Sequence, residues 1–421
     1  MHFQAKRRTG FARWLWLLVL GSTLTTATAQ AQNSNPAFQT FFTTACGGAL
    51  GGSAFESRCT DNGGGDPTGI SGDGEVSLTP SQAIAINETG IGRLISKGDQ
   101  TVAVIEDTRE EFRDADPPEI ALMNRWGLLL NGSWTGFDRD QRGSARGYEG
   151  DTFGVQVGAD YRINARSFVG GFFSYETTDT DFDQQKNNGL NFVAPSNNGN
   201  TDADQYSLTI FGSYNITDAL YVDASILGGI TKYHLTRRAV YQNAGRSTLT
   251  SVRAKGSPKA ADFAVSWGTG YDFNLQALSL TPYLRFQYSF SDVESYSESD
   301  SSGMQMHFEG DRQDSLLTVV GLRGAYVLST AWGVLLPQVR VEYEHESLRD
   351  RVNSQSTFIE DSSRTEFSIR GPSPDRDHVN VGVGVVFVLP GGWMPFVDWE
   401  GLYGNSQLDR NQVSLGIRHE F

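Results

Sequence analysis

The sequence predicts an all-β protein, a transmembrane antiparallel β-barrel of about twelve strands. Three observations predict it. The C-terminal residues alternate, with Val413, Leu415, Ile417, His419 and Phe421 on one face and Gln412, Ser414, Gly416, Arg418 and Glu420 on the other. The same period-two pattern recurs from Asn124 onward in runs of about ten residues, the length a tilted strand needs to cross a bilayer. The connections between runs are short and long by turns, as in barrels with short periplasmic turns and longer outer loops.

The N-terminus reads as an export signal. Lys6, Arg7 and Arg8 precede the short apolar run Trp14–Leu20, and Ala29-Gln30-Ala31 fits a small-x-small cleavage site. The apolar run is far shorter than the ~20 residues of a membrane helix, so residues 1–31 are expected to be a cleaved signal peptide. Residues 32–122 are rich in Gly, Ser, Thr and Asp, show no internal repeat, and form a short N-terminal passenger or luminal segment. Within it Cys46 and Cys59 can pair in an oxidising compartment, with free thiols as the alternative. GGGDPTGISGDGE (63–75) reads as a linker, and residues 81–113 hold a helical pattern weakened by Gly90, Gly92 and Gly98.

Residues 123–421 form the periodic region. The first run puts Trp126, Leu128, Leu130 and Trp134 on one face, and the second Phe153, Val155, Val157, Ala159, Tyr161 and Ile163. Later runs include Tyr206–Tyr214, Leu220–Ile230, Phe263–Phe273, Leu280–Phe290, Leu335–Tyr343 and Val379–Leu389; those near 167–177, 315–328 and 393–403 are less regular. Short turns stand at 164–166, 217–218, 274–278, 329–331 and 390–392, and long polar loops near 137–150, 177–203, 233–260, 291–314 and 346–377. Both ends of the barrel therefore face the periplasm. Trp134, Tyr233, Tyr296, Trp332 and Trp393 near strand ends read as interfacial girdles.

Mean hydropathy is −0.36, which a barrel tolerates because only alternate residues face lipid. A secreted β-sandwich also alternates, but its strands are not usually this long, charge-free on one face and joined by two classes of loop. The net charge of −15 argues against nucleic acid as a partner, because phosphate binding needs basic patches. Inward Arg162, Arg285, Arg323, Arg340 and Arg418 are expected to face Asp160, Asp272, Glu342, Glu344 and Glu400 across the lumen, either tuning ion passage or clamping a luminal helix. The carboxylates Asp292, Glu294, Glu298, Asp300, Glu309, Asp311 and Asp314 read as a charged surface loop, lacking the order of a calcium loop.

Catalysis finds little support. No His-Glu-x-x-His is present, and no Gly-x-Ser-x-Gly stands between a strand and a helix. His307 and His345 read as solvated rim residues, and no catalytic residue, metal or cofactor is expected.

From Arg125 to Phe421 the chain resembles the autotransporter (type V secretion) β-domain. The likeness rests on the number of strands, on Gly416-Ile417-Arg418-His419-Glu420-Phe421, and on Leu336-Pro337-Gln338-Val339-Arg340-Val341-Glu342-Tyr343. It implies a twelve-stranded barrel, often with a helix threading the lumen, in the outer membrane of a Gram-negative bacterium. It also implies that Val413, Leu415, Ile417 and Phe421 form the signal read by the outer-membrane assembly machinery, with His419 where the family more often has tyrosine. Family members usually carry a large passenger; here only about ninety mature residues precede the barrel, and if 81–113 fills the lumen at most about 50 emerge outside, centred on the cysteine loop, too few to bury a core without a staple. The expected function is translocation or surface display by a monomeric barrel in contact with outer-membrane lipid and lipopolysaccharide, its host or surface ligand unknown. A porin-like channel for small solutes is the alternative and an outer-membrane hydrolase a minor one.

Overall fold

The computed structural model describes residues 41–60 and 125–421, apart from 141–146, 184–198, 243–248, 301–302, 349–352, 372 and 407. The signal peptide and the helical pattern at 81–113 lie outside the described residues. Those described all belong to one compact unit, Gln32–Phe421.

Twelve of the described strands close an antiparallel ring. They are β1 (Trp126–Arg139), β2 (Tyr148–Asn164), β3 (Ser167–Phe182), β4 (Gly199–Asn215), β5 (Leu220–Gln242) and β6 (Lys259–Tyr271). The ring continues through β7 (Leu278–Val293), β8 (Asp311–Tyr326), β9 (Gly333–Glu346), β10 (Asp377–Val388), β11 (Trp393–Tyr403) and β12 (Leu408–Glu420). Each strand pairs with its sequence neighbours, and β12 returns to β1 in register from Gly127↔Glu420 to Arg139↔Leu408. Closure leaves no sheet edge, which a bilayer requires because it offers backbone groups no water.

The pleat sorts the faces as the alternation predicts. Leu128, Leu130, Phe153, Val157, Leu208, Ile210, Ile226, Leu322, Val341 and Leu415 all point outward and are exposed. An apolar belt on the outside of a closed ring of strands suits hydrocarbon. Trp134 borders it toward the long loops, and Trp126, Trp332, Trp393 and Phe421 border it toward the short turns. Tyr233 and Tyr296 do not join this girdle: β5 runs 23 residues and carries Tyr233 beyond the belt, where it is buried with Leu235, Ala260 and Val293, and the half-buried Tyr296 packs against the same cluster.

The loops differ from expectation in two ways. Much of 137–150, 177–203 and 233–260 is strand rather than loop, since hairpins continue past the membrane; Leu249–Gly256, for example, pairs with the outer end of β5. The sixth outer connection, 404–407, is short, so the short–long rhythm breaks at the last hairpin. The two loops after β7 and β9 instead build a separate four-stranded sheet from Tyr296–Ser297, Met306–Phe308, Asn353–Phe358 and Glu366–Arg370.

Candidate functional site

Two places concentrate specific interactions: the polar wall of the lumen and an outer cap. In the wall, long polar side chains reach over a glycine on the intervening strand. Arg418 of β12 passes over Gly127 of β1 to Asp160 of β2, with Nε to Oδ1 at 3.0 Å and Nη2 to Oδ2 at 2.7 Å. A Cβ at Gly127 would overlap both Asp160 Oδ1 and the Arg418 guanidinium. Arg340 of β9 crosses Gly382 of β10 and donates to Asp398 at 2.9 and 3.1 Å and to Glu400 at 2.8 Å, both on β11. The Tyr283 ring of β7 lies over Gly321 of β8, and its hydroxyl donates to Glu342 of β9 at 2.5 Å.

These contacts correct the expected pairing across the lumen. The charges meet along the wall, and where they span an intervening strand the pleat puts an inward glycine, Gly127 or Gly382, in the gap and so opens the path. Arg162 and Arg418 share Glu420, at 3.3 and 2.7 Å. Glu344 accepts from Asn380 at 2.5 Å and lies 2.6 Å from His378 Nε2. Asp272 accepts from Thr281 at 2.8 Å. Arg285 and Arg323 line the same β7–β8 wall, and both influence Asp223 on β5. Toward the short-turn end the inward face turns apolar: Leu129, Leu336, Val386, Val388, Met394 and Phe396 pack into one buried cluster.

The outer cap is built from both ends of the sequence. Residues 41–46 are helical, a second helix spans Ala54–Thr60, and the Cys46–Cys59 disulfide ties them together. Ser53 caps the second helix by accepting from the Glu56 amide at 3.0 Å, and Glu56 reaches back to the Gly52 amide at 2.6 Å, a variant of the capping box. The Phe55 amide donates to Glu360 at 2.7 Å, so the loop after β9 satisfies another of the helix's open N-terminal amides. The backbone is docked as well: Gly48 O accepts from the Ser362 amide and hydroxyl at 2.9 and 2.8 Å, and the Leu50 amide donates to Glu360 O at 3.1 Å.

The cap's core joins Phe41, Phe42, Ala45, Phe55 and Cys59 to Met304, Met306, Phe308, Phe358 and Phe367 of the loop sheet. Phe358 is its centre, with the rings of Phe41, Phe55 and Phe42 at 5.0, 4.5 and 5.8 Å. Beneath it Arg237 of β5 grips Glu298 at 2.8 and 2.6 Å and donates to Met304 O, while Glu298 accepts from the Met306 amide. Glu298 is therefore a buried strut and not part of the charged surface loop.

Other predicted residues take ordinary surface positions. His419 packs at a tilt against Trp393, ring centroids 4.1 Å apart, with Phe421 stacked against the same imidazole at 5.8 Å, while Val413 and Leu415 face outward. Ser297 Oγ lies 2.9 Å from His307 Nδ1 and Glu309 lies 3.7 Å from its Nε2, on an open face of the loop sheet. His345 and Tyr343 both contact Asp377 on the outer rim. Above the belt, Asp151, Asp179 and Asp202 lie directly opposite one another on β2, β3 and β4. Burial, then the neighbouring Asp202, Asp181, Asp151 and Asp204, hold the Asp179 carboxyl above the usual range. Among the described residues no group of His, Cys, Asp and Glu is arranged to hold a metal ion.

Comparison with known proteins bears on the barrel. A family model described as "Autotransporter beta-domain" matches residues 129–400. Esterase EstA of Pseudomonas aeruginosa is 23% identical over 289 residues, 66% of this chain and 40% of that protein. Lipase 1 of Photorhabdus luminescens is 24% identical over 311 residues, 72% of this chain and 44% of that protein. The chain thus spans about two-fifths of the length of these curated relatives. Among solved structures, the translocator domain of autotransporter NalP from Neisseria meningitidis is similar with a TM-score of 0.56 and 14% identity, covering 80% of this chain and 98% of that one.

Proposed function

The chain belongs to the autotransporter β-domain family, and we propose that it is an outer-membrane anchor that carries its own N-terminal segment through the membrane and holds it on the outer face. The observation that supports this most directly is the position of residues 41–60. They pack on the loops after β7 and β9, at the end of the barrel opposite Trp126 and Phe421. The assembly-signal role of Val413, Leu415, Ile417, His419 and Phe421, the leader at 1–31 and the division at residue 122 belong to the same proposal.

Intact cells test it. After mild reduction, a membrane-impermeant maleimide should label Cys46 and Cys59 on whole cells; labelling only after the outer membrane is opened would overturn surface display.

A porin-like channel is the rival. The inward charges are engaged within the wall, and the apolar cluster at the short-turn end offers ions no hydrated lining. The mature chain in planar bilayers should therefore show no stable ohmic conductance, and a persistent open pore would favour the channel. The hydrolase reading, the minor alternative, gains the names of two relatives of which this chain spans about two-fifths, but Ser297 and His307 stand on an exposed face of the loop sheet, open to water.

A further inference from the structure

We infer that the loop sheet formed after β7 and β9 is a receptor face for the chain's own N-terminal segment, which it would hold without a covalent link. This deepens the anchor reading and rests on it only for the side of the membrane on which docking occurs.

Residues 41–60 amount to two short helical pieces and a disulfide, too little to bury a core alone. The loops supply the missing half: Met304, Met306, Phe308, Phe358 and Phe367 are buried against Phe41, Phe42 and Phe55. The contact is also specific. Glu360 takes the Phe55 amide, Ser362 takes Gly48 O, and the backbones bridge at Ala49 and Asp361. Gly48 sits so close to Asp361 and Ser363 that any Cβ there would overlap both side chains. Asp361 is fixed in place by accepting from the Ser363 and Thr365 amides, each at 2.8 Å. The face therefore recognises one backbone shape bearing aromatic side chains, and the Cys46–Cys59 loop presents that shape. On the N-terminal side every one of these contacts is made by residues 41–60. A cut in the linker should leave residues 41–60 seated on the barrel.

The test uses the full mature chain, extracted from outer membranes in detergent, with an N-terminal epitope and a site-specific protease sequence inserted between Gly65 and Asp66. After complete cleavage, verified on a denaturing gel, native gel filtration should show the epitope eluting with the barrel. Gly48→Val should speed its release by at least about tenfold, the ratio that corresponds to ~1.4 kcal/mol, with the barrel still folded by its heat-modifiable mobility. Since Gly48 lies outside the barrel strands, this variant separates lost docking from lost folding. Immediate separation of the epitope from the parent barrel, or unchanged retention in Gly48→Val, overturns the inference. Labelling of the cysteines from the periplasmic side only would sink the anchor reading while leaving retention on the column unaffected.

Discussion

Replacing Arg237 with methionine should unfold the outer cap and leave the barrel standing. Arg237 and Glu298 are both buried, with side chains 3% and 2% exposed, and they bind each other through two hydrogen bonds. The guanidinium also holds Met304 O, and Glu298 holds the Met306 amide, so the pair fixes the strand that lines the aromatic core. Removing one partner strands a carboxylate away from water, a loss of about 3–5 kcal/mol in buried pairs. Arg237→Met should expose the 296–308 segment to protease and to amide exchange, with heat-modifiable mobility unchanged. Arg237→Met combined with Glu298→Leu should recover much of the protection, because an apolar pair of similar size leaves no buried charge. Equal damage in the single and double variants would show that the ion pair is not what orders the segment.

The barrel was legible in the sequence and the cap was not, for a physical reason. Each membrane strand lies between two solvents, lipid and a polar lumen, so its period-two pattern survives without reference to any other segment. The runs Leu128–Trp134 and Val379–Leu389 declare themselves alone, and the structure keeps their faces. The cap's core instead joins Phe41 and Phe55 to Phe358 and Phe367, residues some three hundred positions apart, and no local pattern links them. A fragment of the signal was present. Met304, Met306 and Phe308 alternate inside an otherwise polar loop, as a one-sided buried strand would. Distance also explains the misplaced tyrosines, since Tyr233 and Tyr296 neighbour the membrane in sequence but fold above it. The lumen was half legible. The alternation identified which arginines and carboxylates point inward, and the missing element was the inward glycines between them, which turn partners across the lumen into partners along the wall.

Those glycines carry the second large effect. Gly127→Val should prevent stable assembly of the barrel, because it sits where β12 meets β1, the pairing that closes the ring. A side chain at Gly127 would occupy the space through which Arg418 reaches Asp160, and both of those are buried. Arg418 would lose a two-point ion pair, and Glu420 and Arg162, joined to the same cluster, would lose their arrangement too. Breaking one such buried pair costs about 3–5 kcal/mol, a large share of the stability of an ordinary domain. The expected readout is loss of the heat-modifiable band from outer membranes, with the chain degraded or left in the periplasm. Gly132→Ala on the same strand is the matched control. Its Cβ would find nothing nearer than two backbone oxygens at 3.9 Å, so the folded band should persist. Neutralising the bridge by Asp160→Asn should weaken the barrel less than Gly127→Val, since the amide keeps one acceptor for the guanidinium. If Gly127→Val and Gly132→Ala assemble equally well, the seam is held by its backbone ladder alone and the straddling arginine is dispensable.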